Sequence, residues 1–177
     1  MSYILATAGS NSSTSINFQL VKYTVSLLDT RETDLLELAK TEFPMYRADL
    51  EKARGIPGEI SQLKIRIQNS SGIILSVNEH NGNPSAFFKN ILDWLSRSER
   101  HFFADLPVLL MSASGGRRGA SSSRGVVEQM LPRFGGRVVA TFSLPGYHEN
   151  FDPDAGIKEP GLAEEHRGAL NTFLSEI

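Results

Sequence analysis

A loop rich in hydroxyl side chains follows the first apolar segment of the chain and precedes a helical pattern. Its polar residues are Ser10, Asn11, Ser12, Ser13, Thr14, Ser15 and Asn17. The first N–H groups of a helix have no partners within the helix, and the helix dipole favours negative charge there. The loop contains no lysine or arginine. We therefore expect neutral donors to bind an anion, and a phosphate monoester is the natural ligand.

The same loop also fits a simpler interpretation. Serine is a common helix N-cap, so Ser15 could end a Ser/Thr-rich turn without binding any ligand. The loop alone leaves both interpretations open. Its position after the first strand of an alternating chain favours the phosphate site, and two later loops favour it further.

Short apolar segments alternate with amphipathic segments along the whole chain. The predicted strands are Tyr3–Ala8, Thr33–Leu38, Gly72–Val77, Leu106–Ser112 and Arg137–Phe142. The predicted helices are Ser15–Leu28, Ile60–Gln68, Pro84–Arg97, Ser121–Phe134 and Ala163–Ile177. Residues 41–58 contain two prolines and two glycines, so we expect mostly loop there, and we expect an ordered loop around His148, after the last strand.

This alternation predicts an α/β fold with a five-stranded parallel sheet covered by helices on both faces. A unit of this size fits the doubly wound, flavodoxin-like three-layer sandwich with strand order 2-1-3-4-5. With 177 residues, the chain is expected to form one domain over residues 1–177.

Composition narrows the function classes. The net charge of −2 argues against electrostatic capture of nucleic acid or an acidic membrane, and the absence of cysteine excludes thiol catalysis. No apolar run approaches the roughly 18 residues of a membrane span, and no signal peptide is evident, so we expect a cytoplasmic protein. The acidic residues Asp152, Asp154 and Glu159 do not form a convincing cation motif, and we expect no metal.

Ligands of doubly wound sheets lie beyond the carboxyl ends of the strands. Two further loops are predicted at this edge, and both are rich in small polar residues. The second loop contains Asn78, Glu79, His80, Asn81 and Gly82, and the third contains Ser114, Gly115, Gly116, Arg117 and Arg118. Because glycine lets the backbone approach a ligand closely, the three loops together suit a ligand with a phosphate and a planar polar ring.

Together the three loops resemble those of the NAD(P)H-dependent FMN reductase family of flavodoxin-like proteins. Gly9-Ser10, Ser15 and Asn17 resemble its phosphate motif, and Asn78-Glu79-His80-Asn81 resembles its Pro-Glu-Tyr-Asn segment. The helix that follows carries Lys89-Asn90-Ile91-Leu92-Asp93-Trp94, the most specific match, and Ser114, Gly115, Gly116 and Gly119 resemble the family's glycine loop.

The resemblance implies an enzyme with FMN as cofactor and NAD(P)H as co-substrate. It implies that Ser10, Ser15 and Asn17 hold the FMN phosphate, helped by the N–H groups at Ile16. Asn78–Gly82 would lie along the isoalloxazine, and Ser114, Gly115 and Gly116 would close its other side. The flavin would carry the chemistry, so no catalytic acid–base pair is expected. Hydride would pass from nicotinamide to flavin and then, in a ping-pong cycle, to a flavin, quinone, azo or oxyanion acceptor.

Two positions depart from the family pattern, because Asn78 replaces proline and His80 replaces tyrosine. His80 could contact the flavin ring as a modulator and could titrate near neutral pH. Arg117 or Arg118 is a candidate for binding the NAD(P)H phosphates, although both could be solvated loop charges. Trp94 and Phe88 are expected to pack in the core or at a subunit interface, and Asp93 to be structural. Family members are commonly dimers or tetramers, so a homodimer or homotetramer is expected.

Two other functions stay open from the sequence. A flavodoxin-like electron carrier would typically be much more acidic than −2, because such carriers dock electrostatically. A non-enzymatic module with weak or no FMN binding is the other alternative, since the family pattern is altered at Asn78 and His80.

Overall fold

The computed structural model of the chain describes residues 3–177. Five parallel strands form its main sheet in the order β2-β1-β3-β4-β5. They are β1 (Tyr3–Ala8), β2 (Thr33–Leu36), β3 (Ser70–Val77), β4 (Pro107–Ala113) and β5 (Arg137–Leu144). The larger helices are α1 (Ile16–Ser26), α2 (Ala48–Arg54), α3 (Gly58–Gln68), α4 (Ala86–Ser98), α5 (Ser121–Met130) and α7 (Pro160–Leu174). The predicted fold class and strand order are confirmed.

Both faces of the sheet are buried, which explains the near-continuous apolar strands. One face, with Leu5 and Leu110, packs against α3, α4 and α5. The other face, with Ile4 and Met111, packs against α1 and α7. Successive side chains of a strand point to opposite faces, so β1 and β4 contribute to both cores. This three-layer arrangement fixes the carboxyl ends of β1, β3 and β4 side by side.

Residues 41–58 differ from the prediction, because they contain the helix α2 and the start of α3. Asp49 and Glu51 lie in the first turn of α2, and Lys52 and Arg54 lie in its last turn. Charges in these positions complement the helix dipole. Proline and glycine flank this short helix, and they led to the prediction of a loop.

Prolines also account for differences at helix ends. Pro84 lies before α4 rather than in it, since Ser85 is the N-cap and its Oγ accepts a hydrogen bond of 3.1 Å from Phe88 N. Helix α5 ends at Met130, and a 3-10 turn over Leu131–Phe134 contains Pro132. Pro160 begins α7, three residues before the predicted start, because the first helical position tolerates its missing N–H.

The ordered loop expected around His148 instead has regular structure. It forms the short helix α6 (Tyr147–Asn150) and a two-stranded antiparallel hairpin of β6 (Phe151–Asp152) and β7 (Gly156–Ile157). β5 extends two residues beyond its predicted end, to Leu144. Within residues 3–177, no helix combines the length and apolar character needed to cross a membrane.

Candidate active site

The first loop lies directly against the beginning of α4. Gly9 N donates to Ser76 O of β3 at 2.9 Å, and Ser85 Oγ donates to Gly9 O at 2.9 Å. A Cβ at Gly9 would lie 2.6 Å from Phe88 Cδ2. Such a contact is too short for any side chain, so glycine at this position lets the loop approach α4.

Hydroxyl groups shape the rest of the first loop from within. Ser10 Oγ accepts from Ser12 N, and Ser12 Oγ accepts from Thr14 N, each at 3.2 Å. Ser15 is the N-cap of α1, because its Oγ accepts from Phe18 N at 3.2 Å. The capping interpretation of Ser15 is therefore confirmed. A hydroxyl that accepts one bond still has its own hydrogen to donate, so capping does not prevent Ser15 from binding an anion.

Several donors of this loop have no protein partner. Across residues 3–177, no hydrogen bond is made by the N–H groups of Ser13, Ile16 or Asn17. Ile16 and Asn17 are the first two residues of α1, where the helix dipole is positive. These uncharged donors at one helix end fit a phosphate group.

Asn17 has a different role from the one expected. Its side chain is 2% exposed, and its Oδ1 accepts from Ser76 Oγ at 2.7 Å and from Ala113 N at 2.8 Å. Its Nδ2 donates to Ala113 O at 3.2 Å. The amide thus joins α1 to the ends of β3 and β4, while the backbone N–H of Asn17 makes no hydrogen bond within the described residues.

The second loop ends in a tight two-residue turn. His80 N donates to Asn83 O at 2.8 Å, and Asn83 N donates to His80 O at 3.1 Å. The two residues between them have positive φ, 53° at Asn81 and 76° at Gly82, as a type I′ turn requires. The Asn81-Gly82 dipeptide is the sequence signal of this turn. The turn holds His80 and Asn81 exposed at the end of β3.

We call the edge of the sheet between the three loops, at the carboxyl ends of β1, β3 and β4, the crevice. Asn78 and His80 form a pair in the second loop, beside it. Asn78 Nδ2 lies 3.1 Å from His80 Nε2. Asn78 Oδ1 is the one buried side-chain oxygen or nitrogen without a partner that the described part of the chain contains. A buried acceptor without a donor is costly, so this position is suited to a donor from a bound polar group or to rotation of the amide.

The side chain of Glu79 binds the beginning of α5. Its Oε2 accepts from Ser123 N at 3.0 Å, and Ser123 Oγ donates to Asn78 O at 2.7 Å. Ser123 is the third residue of α5, so the carboxylate of Glu79 caps this helix and complements its dipole. Glu79 therefore fixes the second loop to α5. Ser123, which completes this link, was not singled out in the sequence.

The third loop is fastened to the segment after β5. Ser114 N donates to Leu144 O at 3.2 Å, Tyr147 N to Ser114 O at 3.0 Å, and Gly146 N to Gly116 O at 3.1 Å. Gly115 and Gly116 are exposed. These bonds leave the loop backbone open on its outer side, as close approach to a flat ligand requires.

Gly119 and His148 are two further features of this loop. Gly119 has φ of 56°, and a Cβ there would lie 2.7 Å from the carbonyl carbon of Leu144, so the loop depends on glycine at this point. The exposed His148 packs over Gly115, since a Cβ at Gly115 would lie 3.6 Å from His148 Cδ2. The sequence offered no spacing that placed His148 beside the third loop.

Arg117 and Arg118 are exposed at the tip of the third loop. Neither arginine forms an ion pair within residues 3–177. Two unpaired guanidinium groups beside the crevice are suited to phosphate oxygens.

The motif on α4 lies outside the crevice. Lys89 Nζ and Asp93 Oδ1 form an ion pair of 2.6 Å on the helix surface, which agrees with the expected structural role of Asp93. Phe88 and Trp94 are buried, at 4% and 0% exposed. In the described residues, no three histidine or acidic side chains cluster as a metal site would require.

Comparison with known proteins agrees with this geometry. Residues 2–149 match the model of the family described as NADPH-dependent FMN reductase. The chain is 27% identical over 135 residues to a quinone reductase of Escherichia coli strain K12, covering 75% of this chain and 72% of the relative. It is 30% identical over 159 residues to an NADPH azoreductase of Bacillus sp. strain OY1-2, covering 85% and 78%.

Solved structures show the same fold. The flavoenzyme NAD(P)H:(acceptor) oxidoreductase FerB from Paracoccus denitrificans superposes with a TM-score of 0.79 and 22% identity, over 99% of this chain and 96% of FerB. The family model spans the first and second loops, the third loop and the motif on α4. The chain therefore belongs to the NADPH-dependent FMN reductase family, and it is an NAD(P)H-dependent oxidoreductase with FMN as its cofactor.

Proposed function

We propose that this protein oxidises NAD(P)H and reduces a small organic acceptor, a quinone or an azo compound, in a ping-pong cycle. The observation that carries the proposal is the set of free, uncharged donors where the first loop meets α1, which suits the phosphate of FMN. When bound, FMN supplies hydride chemistry, taking electrons from nicotinamide and releasing them to the acceptor. The relatives named quinone reductase and azoreductase support these two acceptor classes.

The protein residues act by binding and orienting. We assign the phosphate to the hydroxyl groups of Ser10 and Ser15 and to the N–H groups of Ile16 and Asn17. The Ser15 hydroxyl and the Asn17 N–H are held in place by the fold, because Ser15 caps α1 and the side chain of Asn17 binds β3 and β4. Preorganised donors of this kind stabilise negative charge without rearranging.

The second and third loops would border the isoalloxazine. Residues 78–82 would lie along the ring, with Glu79 holding them to α5. Ser114, Gly115 and Gly116 would close the other side, held by the segment after β5. Backbone N–H and C=O groups of these loops match the alternating donors and acceptors of a pyrimidine edge.

Arg117 and Arg118 are proposed to bind the phosphates of NAD(P)H. Both are exposed on the third loop, so a dinucleotide whose nicotinamide stacks on the flavin would reach them with its pyrophosphate. A guanidinium group binds phosphate oxygens through two parallel hydrogen bonds.

Assembly as a homodimer or homotetramer in the cytoplasm is also proposed. On α4, Phe88 and Trp94 were expected in the core or at a subunit interface, and both lie in the core. Phe88, Trp94 and Leu95 are each no more than 4% exposed, and they pack in the core. Among residues 3–177, the large apolar side chains that are exposed are Met45 and Ile65, at 64% and 54%, and Leu35 at 41%. Sedimentation equilibrium at several concentrations measures the state of assembly.

Anaerobic addition of NADPH to the FMN-loaded protein is expected to bleach its absorbance near 450 nm without any partner protein. Subsequent addition of a quinone is expected to restore the colour, because each half of a ping-pong cycle proceeds alone. Initial rates at several fixed quinone concentrations should give parallel double-reciprocal lines. A flavin that dithionite bleaches and NADPH leaves oxidised would contradict the proposal and favour an electron carrier.

Replacing His80 by alanine is expected to change the relative rates with quinone and azo acceptors at least several-fold. His80 is exposed beside the second loop, and its contacts are the Asn83 backbone and the Asn78 amide, so the melting temperature should stay within about 2 °C. The control is His101→Ala, which removes an exposed imidazole that pairs with Asp105 outside the site. Equal acceptor preference in the two variants would show that His80 does not contact the acceptor or the ring.

A further inference from the structure

A cavity of about 790 Å³ lies between residues 41–59 and the beginning of α4. Its volume falls within the roughly 300–1,000 Å³ of small-molecule sites. Phe43 and Phe87 form an aromatic wall, with ring centroids 5.9 Å apart at 61°, and Trp94 also lines the cavity.

The segment that covers the cavity is bound to α4 through its backbone. We call residues 41–47 the strap. Asn90 Oδ1 accepts from Tyr46 N at 2.7 Å, and Asn90 Nδ2 donates to Pro44 O at 3.0 Å. Trp94 Nε1 donates to the same Pro44 oxygen at 2.8 Å. Two residues of the motif on α4 therefore clamp the strap independently of its side chains.

A second set of contacts connects the strap with α2. The Tyr46 hydroxyl donates to Glu51 Oε2 at 2.9 Å, and Arg97 Nε of α4 donates to the same oxygen at 3.0 Å. The Tyr46 ring also packs edge-on against Trp94, with centroids 5.0 Å apart. The hydrogen bond from Arg97 lowers the pKa of the Glu51 carboxyl, so this link is charged at neutral pH.

The cavity adjoins the crevice of the active site. Asn11 of the first loop and Phe87 of α4 both line it. The neighbouring residues, Gly9 and Phe88, are the ones that bring the loop and the helix into contact. A ligand at the junction of the first loop and α4 would therefore have room to extend under the strap.

The lining defines the chemistry of the occupant. The rings of Phe43 and Phe87 border the space, with the buried Trp94 behind them, and its charged groups are Arg54, Glu42 and Glu59. Arg54 has no ion pair among residues 3–177. Because two carboxylates face one guanidinium, the lining does not suit the several phosphates of a dinucleotide. It suits a planar aromatic molecule with both donor and acceptor substituents.

We propose that this cavity holds the aromatic body of the electron acceptor, and that Asn90 and Trp94 are positioning residues that keep the strap over it. The inference rests on the proposed function, since it places the acceptor of that reaction. It gives the motif on α4 a role in acceptor specificity rather than in flavin binding. The nucleotide phosphates would leave the crevice on the opposite side, toward Arg117 and Arg118.

The test compares an aromatic acceptor with a small one. Phe43→Ala removes one wall of the cavity at a half-buried position and is expected to raise KM for the azo dye methyl red about tenfold, since a lost aromatic contact is worth roughly 1.4 kcal/mol. The kcat with methyl red, and the rate with ferricyanide, should change less than about twofold. Met45→Ala is the matched control, because Met45 belongs to the strap, is 64% exposed and does not line the cavity.

A second variant tests the clamp itself. Trp94→Phe removes the bond to Pro44 and keeps a ring in the core, and it should raise KM for methyl red without changing FMN content or the rate with ferricyanide. A direct readout comes from Trp94, the single tryptophan of the chain, in the unmodified FMN-loaded protein. Its indole N–H resonance is expected to shift when methyl red is added, and to shift much less in Phe43→Ala.

Unchanged KM in both variants, or equal loss with methyl red and ferricyanide, would overturn the inference. A resonance shift without any change in KM would also overturn it, because the dye would then bind outside the reaction path. Failure of the proposed function is recognised separately, since NADPH would then not bleach the flavin of the unmodified protein.

Discussion

Replacing Ser15 by aspartate is expected to weaken FMN binding about 100-fold while leaving the fold intact. Aspartate is as good an N-cap as serine, so the bond from Phe18 N that Ser15 Oγ accepts can be preserved. The new carboxylate would face the phosphate at the end of α1 and repel it. Fluorescence titration of FMN into the flavin-free protein gives the dissociation constant, and circular dichroism reports the fold.

Ser15→Asn is the matched control for this variant. Asparagine also caps helices well but carries no charge, so FMN affinity should fall less than about fivefold. If the aspartate variant kept its full FMN affinity, the first loop would not bind the phosphate. If both variants lost FMN equally, capping geometry rather than charge would explain the loss.

Acidification is expected to destabilise the protein through His166. This side chain is 1% exposed, its Nε2 lies 2.9 Å from Thr24 Oγ1, and its ring packs against Tyr23 and Phe142. Burial, assisted by the charge of Arg167, lowers the pKa of His166 from 6.5 to about 4. His166 binds a proton more readily in the unfolded chain than in the folded one, so acid favours unfolding. The free energy of unfolding is therefore undiminished by His166 above pH 6.5 and decreases as the pH falls toward 4. The expected loss is about 3 kcal/mol.

Urea unfolding between pH 4 and pH 7 measures this loss. The variant His166→Phe removes the titrating group, so its free energy of unfolding should fall less steeply with acid than that of the unmodified protein. His101→Gln is the control, because it removes an exposed imidazole paired with Asp105 and should keep the steep slope. Identical pH dependence in His166→Phe and the unmodified protein would exclude this origin of acid sensitivity.

The architecture was predictable because its signals are local. Apolar runs such as Gly72–Val77 identify buried parallel strands, and alternation with amphipathic segments leaves few topologies. Helix α2 was missed because its signal is the charge order from Asp49 to Arg54, which proline and glycine on either side obscured. The hairpin after β5 is only two residues on each strand, too short for a recognisable alternation.

The candidate site was predictable as a set of loops but not as a set of contacts. Spacing placed the loops at the carboxyl ends of β1, β3 and β4, because sheet topology brings these ends together. The directions of the side chains were not predictable, because Asn17 binds Ala113 and Glu79 binds Ser123. These contacts span 96 and 44 positions in sequence, and no local pattern encodes them.

The motif on α4 illustrates the same limit. Its residue types identify the family, but the sequence does not show that Asn90 and Trp94 bind the backbone of Pro44 and Tyr46. When a side chain binds a backbone atom, the residue that supplies this backbone atom can be of almost any type. The partner could therefore be found only in the folded chain.

The proposed function depends on uncharged donors at the start of α1 that hold the phosphate of FMN. A crystal structure of the FMN complex would locate this phosphate. We expect its oxygens within about 3 Å of the N–H groups of Ile16 and Asn17 and of Ser15 Oγ, with the ring beside residues 78–82. A phosphate bound elsewhere, for example against Arg54 in the cavity beneath the strap, would contradict it.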